Sequence, residues 1–329
     1  MAGYISRRRA LSGMLLTGAS ILALNTKGNA TSQIENARLK KTPDLNPAEI
    51  AAIETAIGKK GRYIGAENLY TVPLPRNDLK VTIKGESVPI SFGFGGWVSI
   101  KKTIDGKSAV LMSDTVLLPE EVNSLISTAQ ANGLEISAIH NHFFYEEPRI
   151  VYMHLHGMGD VAKLANSYAA AIKANKLFPA NQPPASPPPT RTAKEIFDLP
   201  ALDKIVGTSG AINGTTYKYT LGRSDQNITA MGAEITTNIG LNSWAAFTGS
   251  PESAHIAGDI AMLAHEVNSV IRALRSNDLE VVAVHHHMLD ENPKIIFLHY
   301  YGRGEARHLA GGFRAAINEL GKKGSAMKM

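Results

Sequence analysis

The chain has 329 residues, 44% of them hydrophobic, a formal net charge of +5 and no cysteine. The missing thiols exclude a disulfide framework, a thiolate nucleophile, a cysteine-ligated metal and a lipid-modified cysteine. The first 30 residues hold Arg7, Arg8, Arg9 and Lys27 and no acid, so without them +5 falls to +1 and no basic field argues for nucleic acid or an anionic membrane.

Those 30 residues read as a targeting segment. Ser6-Arg7-Arg8-Arg9-Ala10-Leu11 is a twin-arginine pattern, an apolar stretch runs from Ala10 to Leu24, and Gly28-Asn29-Ala30 offers small residues for cleavage. The expectation is a periplasmic or secreted protein with no stable membrane anchor after cleavage. The apolar run is short and interrupted for a membrane span.

Asn46-Pro47 followed by Ala48 to Ile57 predicts a helix with Asn46 as cap. From Arg62 to Ile100 short alternating stretches rich in Val, Ile, Tyr and Thr predict strands, with turns at Arg76-Asn77-Asp78 and Lys84-Gly85-Glu86. Pro119 to Ala131 reads as a helix closed by Asn132-Gly133. Glu135 to Phe144 and Arg149 to Leu155 read as a hairpin turning at Glu146-Glu147-Pro148, and Asp160 to Ala174 as an amphipathic helix. Six prolines between Pro179 and Thr190 mark an extended linker. Further helices are expected near Ala261 to Arg275 and Glu305 to Leu320.

The chain is duplicated. Glu121 to Ile172 aligns without a gap on Glu266 to Ile317, with about 22 identities in about 52 pairs. Upstream, Arg76, Asp78, Thr82, Gly85 and Trp97 meet Arg223, Asp225, Thr229, Gly232 and Trp244. The expected organisation is a signal peptide (1–30), a first repeat domain (46–178), a Pro-rich linker (179–194) and a second repeat domain (195–323). Hairpins and helices that follow them, rather than alternating with single strands, argue for an α+β fold. It would comprise two tandem homologous domains, each a largely antiparallel sheet with helices packed on one face.

Each copy carries three histidines at one spacing. They are His140, His142 and His154 in the first and His285, His287 and His299 in the second. Side chains two apart on a strand share a face. A hairpin turning near Glu146-Glu147 places His140 close to His154. Two imidazoles at i and i+2 plus one from the next strand suit a three-histidine site for a divalent transition metal such as zinc, with an open position for water. The expectation is one such site per repeat, taking a metal or a small polar ligand. The opposite face, with Ile139, Phe143, Val151, Met153 and Leu155, is expected against the helices. Ile136, Ala138, Ile150 and Tyr152 are expected on the histidine face, partly buried under the other repeat or under the strands from Arg62 to Ile100. The bland alternative is histidines that only hydrogen-bond within the fold. The copies differ at His156, which becomes Tyr301, and at Asn141, which becomes His286.

Glu146 and Glu291, in equivalent hairpin turns, are the candidates for a general base or a further ligand, against the alternative of solvated turn residues. Arg76 with Asp78, and Arg223 with Asp225, could grip an anionic or polar ligand or form local structural ion pairs. Gly157-Met158-Gly159-Asp160 and Gly302-Arg303-Gly304-Glu305 read as helix-entry turns whose acid fills the helix N-terminus. Trp97 and Trp244 read as core anchors. No nucleophile elbow, phosphate loop, His-Glu-x-x-His helix or dinucleotide fingerprint is present.

Glu121-Val122-Asn123-Ser124, His140-Asn141-His142, Glu146-Glu147-Pro148-Arg149-Ile150 and Gly157-Met158-Gly159-Asp160 resemble the LppY/LpqO family of exported bacterial proteins. Val284-His285-His286-His287 and Phe297-Leu298-His299 look similar. The resemblance implies export and a two-copy architecture; the family is defined by a domain of unknown function and supplies no catalytic residues. Its named members look like lipoproteins, which this cysteine-free chain does not match. Three readings stand: a binding protein for a metal or small polar ligand, a metal-dependent periplasmic hydrolase, and a structural envelope protein with packing histidines.

Overall fold

The computed structural model describes residues 41–184 and 187–322. The signal-peptide expectation falls on residues 1–30, outside the described residues. Among those described, no helix is long and apolar enough to cross a membrane.

The first repeat comprises α1 (Pro47–Ile57), β1 (Arg62–Ile64), β2 (Leu69–Pro75), β3 (Val81–Ile83), β4 (Glu86–Val88), β5 (Gly95–Lys102), β6 (Ala109–Leu117), α2 (Pro119–Ala131), β7 (Glu135–His140), β8 (Glu146–Glu147), β9 (Val151–Gly159) and α3 (Val161–Ile172). The short helix α4 (Ala193–Ile196) leads into the second repeat. That repeat comprises α5 (Leu199–Val206), β10 (Ala211–Asn213), β11 (Thr216–Gly222), β12 (Ile228–Ala230), β13 (Ala233–Ile235), β14 (Asn242–Gly249), β15 (Ala254–Met262), α6 (Val267–Arg275), β16 (Glu280–His285), β17 (Ile296–Gly304) and α7 (Ala306–Ile317). Two six-stranded antiparallel sheets result, ordered β1-β2-β5-β6-β9-β7 and β10-β11-β14-β15-β17-β16. The α+β reading with helices on one face of each sheet therefore holds.

Local chemistry sets the boundaries. Asn46 and Glu49 cap α1 reciprocally, each side chain accepting the other's backbone N–H at 2.9 and 2.7 Å. Asp160 accepts from Lys163 N and Glu305 from His308 N, closing the N-termini of α3 and α7. The glycines before these caps are not turns, because β9 and β17 run through Gly159 and Gly304. Gly157 and Gly302 instead let helix and loop side chains close on the strand. An added Cβ at Gly157 would lie 2.8 Å from Leu134, and one at Gly302 would meet Leu279. The helix expected from Ala261 begins only at Val267, since Ala261 and Met262 end the fully buried strand β15.

Each sheet has two buried faces. Val98, Ile100, Leu111, Met153 and Leu155 pack under α1 and α3 with Leu164, Tyr168 and Ile172. Tyr217, Phe247, Ile256, Leu298 and Tyr300 pack under α5 to α7 in the second repeat. The other faces meet each other. Leu69, Val110 and Met112 share one core with Ile239, Ala261 and Phe297. Phe94, Phe143, Ile150 and Tyr152 share another with Trp244, Ala246 and Tyr301. The order is helices, sheet, sheet, helices, and the histidines lie between the sheets.

The hairpin register differs from the expected one. His140 stands opposite Tyr152, and His154 opposite Ala138, because the hairpin loop is centred one residue earlier than expected; an irregularity between Ile136 and Ala138 shifts only the pairs beyond it. The same irregularity puts Ile136 against the helix-side core, away from the histidines. Ile139 is exposed and Phe143 lies between the sheets, so neither joins the helix-side core. His142 lies beyond the end of β7, not on the strand. The chain there diverges so that β8 can pair with β3, which makes the hairpin loop wide.

Candidate metal centre

All six histidines converge between the two sheets. His140 stacks on His285 with ring centroids 3.8 Å apart, His142 on His299 at 3.7 Å, and His154 lies 4.1 Å from His287. The groupings whose ligand atoms lie within 4.8 Å are His140, His142 and His299; His140, His154 and His285; and Asp259, His285 and His287. Two of these groupings cross between the repeats, where the expected triads stayed within one; the third, Asp259 with His285 and His287, lies within the second repeat. In one of them the His-x-His pair of the first copy meets the third histidine of the second, because a pseudo-twofold relation brings the sheets face to face.

Cross-strand pairing builds the floor. In the first sheet Trp97, Asp114 and His154 stand side by side on β5, β6 and β9. In the second sheet Trp244, Asp259 and His299 do so on β14, β15 and β17. The sequence reading missed Asp114 and Asp259. The available signal was one acid in each of two apolar nine-residue strands, at the same 145-residue shift as the histidines.

The backbone fixes several imidazole tautomers. Taken as neutral rings, His154, His287 and His299 donate Nδ1–H to the carbonyls of Ser113, Gly240 and Gly258, at 3.0, 3.1 and 3.1 Å. Their Nε2 lone pairs then face the cavity, the arrangement that metal-binding histidines use. His299 Nε2 is 3.2 Å from His140 Nε2, and His287 Nε2 is 3.2 Å from Asp259 Oδ2. Ligand atoms around a tetrahedral zinc lie ~3.3–3.4 Å apart. Two acceptors at 3.2 Å require a proton or a cation between them.

Burial controls the charges. It lowers the pKa of all six histidines, with neighbouring imidazoles adding to the effect for most, and brings His287 down to about 3. Burial also raises Asp259 to about 8, and together with the charge of Asp259 it raises Asp114 to about 7. Lys218 is lowered to about 8 by burial, against the pull of both aspartates. Nine buried nitrogen and oxygen atoms of Asp114, His140, His142, His154, Asp259, His285 and His287 have no hydrogen-bond partner among the described residues. At roughly 1–3 kcal/mol each, their burial totals on the order of 10 kcal/mol, comparable to the whole net stability of a domain.

A cleft of about 530 Å³ reaches this floor. His142, His287, His299, Asp114 and Asp259 lie in its lining, with Trp97, Trp244, Lys218, Lys60 and Arg62 among the surrounding residues. The tryptophans thus border the site as well as the core.

The other sequence candidates lie elsewhere. Arg76 is fully buried and holds Asp78, Glu121 and the Val116 carbonyl; Arg223 likewise holds Asp225, Glu266 and the Ala261 carbonyl. These guanidiniums are committed to the fold and do not border the cleft. Glu146 and Glu291 are buried, accept from the backbone N–H groups of Ile150 and Ile295 within the hairpin loops, and join none of the histidine groupings. Of the divergent positions, His156 pairs with Glu135 and Tyr301 with His255; Asn141 bonds Phe143 O and His286 is exposed. None of the four joins the cluster.

A family model described as a domain of unknown function (DUF1259) matches residues 51–174 and again 200–319. The chain belongs to this family. Each matched region supplies one aspartate, three histidines and one tryptophan of the site, so the composite floor is made from two copies of the family's domain. A search of curated proteins finds no match.

Proposed function

We propose that the histidine–aspartate floor is a divalent transition-metal centre, zinc being the simplest candidate, shared by the two repeats of an exported protein. The observation that carries this reading is the set of three imidazoles whose Nδ1–H groups are held by backbone carbonyls. Their Nε2 atoms face an aspartate and other unpartnered nitrogens. Neutral imidazole and carboxylate suit zinc and its neighbours in the first transition row. Binding of a structural zinc supplies roughly 10–16 kcal/mol, enough to offset the burial of these groups. A purely packing role would leave that penalty standing. Of the groupings, Asp259, His285 and His287 are the best prepared for a first ion, since His287 is already anchored.

A second reading, metal-dependent hydrolysis, is favoured by the open cleft, which would let water and a substrate reach the ions. Export through the twin-arginine pattern, delivery to the periplasm and the LppY/LpqO assignment belong to the same proposal. They rest on the residues that carry those motifs.

The test is elemental analysis of the untagged mature protein purified from the periplasm. One or two equivalents of a transition metal, lost in His287→Ala and His299→Ala proteins that keep wild-type circular dichroism, are expected. No metal as isolated, and none taken up from zinc, copper or nickel titrations, would overturn the reading.

A further inference from the structure

The floor is nearly symmetric, but the walls above it are not. Lys218 on β11 projects into the cleft with its ammonium 4.1 Å from the centre of the Trp244 ring. The pairing of β2 with β5 and of β11 with β14 makes Thr71 the equivalent position in the first repeat. Across the cleft, exposed Lys60 and Arg62 flank Gly61, whose N–H meets the Tyr70 hydroxyl. Gly210 makes the same bond to Tyr217, yet its neighbours are the uncharged Ser209 and Ala211. The cations therefore belong to the opening, not to the repeated architecture.

Lys60, Arg62 and Lys218 form no ion pair among the described residues. The lining holds only two carboxylates, Asp114 and Asp259, both down at the floor. Thr71, Thr220 and Asn242 add neutral hydrogen-bonding groups on the walls. An ammonium half withdrawn from water, held over an indole and lacking a counter-ion, is a prepared partner for an anion. The two tryptophans offer apolar surface for a short carbon skeleton.

We infer that the cleft takes a small organic oxyanion, a carboxylate or phosphate compound, with one charged group on Lys218 and its body against Trp244 and Trp97. Lys60 and Arg62 draw it in, and its other end reaches the histidine–aspartate floor. This assigns a ligand class to the proposed metal centre and in that last respect rests on it. Contact with Lys218 and Trp244 needs no metal.

Trp97 and Trp244 are the only tryptophans, and both border the cleft, so intrinsic fluorescence reports occupancy directly. The mature protein is titrated with inorganic phosphate, with succinate and with neutral succinamide, once metal-loaded and once after chelation. Metal content is measured on each sample. A saturable response to phosphate or succinate but not succinamide is expected, weakened at least tenfold in Lys218→Met. Lys218→Arg should restore it, and the exposed Lys194→Met should leave it unchanged. The two anions decide between phosphate and carboxylate. Absence of a saturable response to either, or equal affinity in Lys218→Met and wild type, overturns the inference. Metal bound without an anion response defeats the ligand assignment alone. An anion response in protein that takes up no metal defeats the metal centre and its contact with the ligand's far end, and keeps the Lys218 subsite.

Discussion

Replacing His142 by leucine should change stability in opposite directions with and without metal. His142 is 4% exposed, and neither of its ring nitrogens has a hydrogen-bond partner among the described residues. A neutral imidazole carries one donor and one acceptor, and leaving each buried and unpaired costs roughly 1–3 kcal/mol. Leucine removes both penalties at similar volume. It also forfeits the stacking on Tyr152 and His299, at centroid distances of 3.3 and 3.7 Å, worth roughly 0.5–1.5 kcal/mol per pair. The metal-free variant should gain about 1–3 kcal/mol, or roughly 2–10 °C in Tm for a unit of this size. With metal at a hundred times its Kd, wild type gains about 2.7 kcal/mol, which the variant forfeits in part or whole, so the difference shrinks or reverses. Differential scanning calorimetry on chelated and loaded protein reads both. His287→Leu is the internal control. It leaves the Gly240 carbonyl without its 3.1 Å donor and should be less stable, metal-free, than His142→Leu by about 1–2 kcal/mol. A His142→Leu protein destabilised equally with and without metal would show that the ring only packs, and the ligand argument would fail.

Three other perturbations address the supports of the site. Glu266→Ala leaves buried Arg223 without its innermost carboxylate and should cost about 3–5 kcal/mol in urea unfolding. Asp225→Ala, at a side chain 45% exposed, should cost under about 1 kcal/mol; similar losses would contradict the burial argument. Arg223 holds the Asp225 carboxyl down at about 2, below its ordinary 3.8. Its small stabilisation is therefore full above pH ~4 and lost as pH falls towards 2, and Asp225→Asn should flatten that part of the stability–pH curve. Gly258→Ala would push a Cβ into the Trp244 carbonyl and the Tyr300 hydroxyl. A loss of about 2–3 kcal/mol is expected by thermal unfolding, together with weaker metal uptake, since Asp259 follows directly and Gly258 O holds His299.

Features set by neighbouring residues were legible in the sequence. Asn46, Asp160 and the Pro119 start of α2 read as helix boundaries because caps act over three or four residues. The duplication was legible because it lies in the sequence itself. What failed required knowledge of a partner strand. The centre of the hairpin loop sets His154 opposite Ala138 rather than His140, and the irregularity between Ile136 and Ala138 turns Ile136 to the helix side; no residue type announces either. Ala254–Met262 was hidden because a strand buried on both faces loses its alternation and reads like the start of a helix. The face-to-face packing of the sheets was legible only as a requirement, in that both faces of the hairpin strands carried apolar residues needing cover.

The same distinction separates the parts of the site. The six histidines announced themselves through residue type and repetition, but which of them meet is decided by the pseudo-twofold relation between the sheets. Asp114 and Asp259 become visible only when the strands are laid beside the histidines. Divergence between the copies is also informative. Where repeat one has Tyr152, repeat two has Phe297. The Tyr152 hydroxyl donates to Gly93 O, the counterpart of the Gly240 carbonyl that holds His287. One hydroxyl thus displaces the anchor of His142 and leaves that imidazole unheld, while its twin is fixed. Tyr152→Phe should return Gly93 O to His142 Nδ1–H, hold His142 as His287 is held and tighten metal binding by His140, His142 and His299. A second stoichiometric phase in a zinc titration that sharpens in Tyr152→Phe supports this. An unchanged titration would mean that the hydroxyl does not govern His142, and the asymmetry of the floor would need another origin.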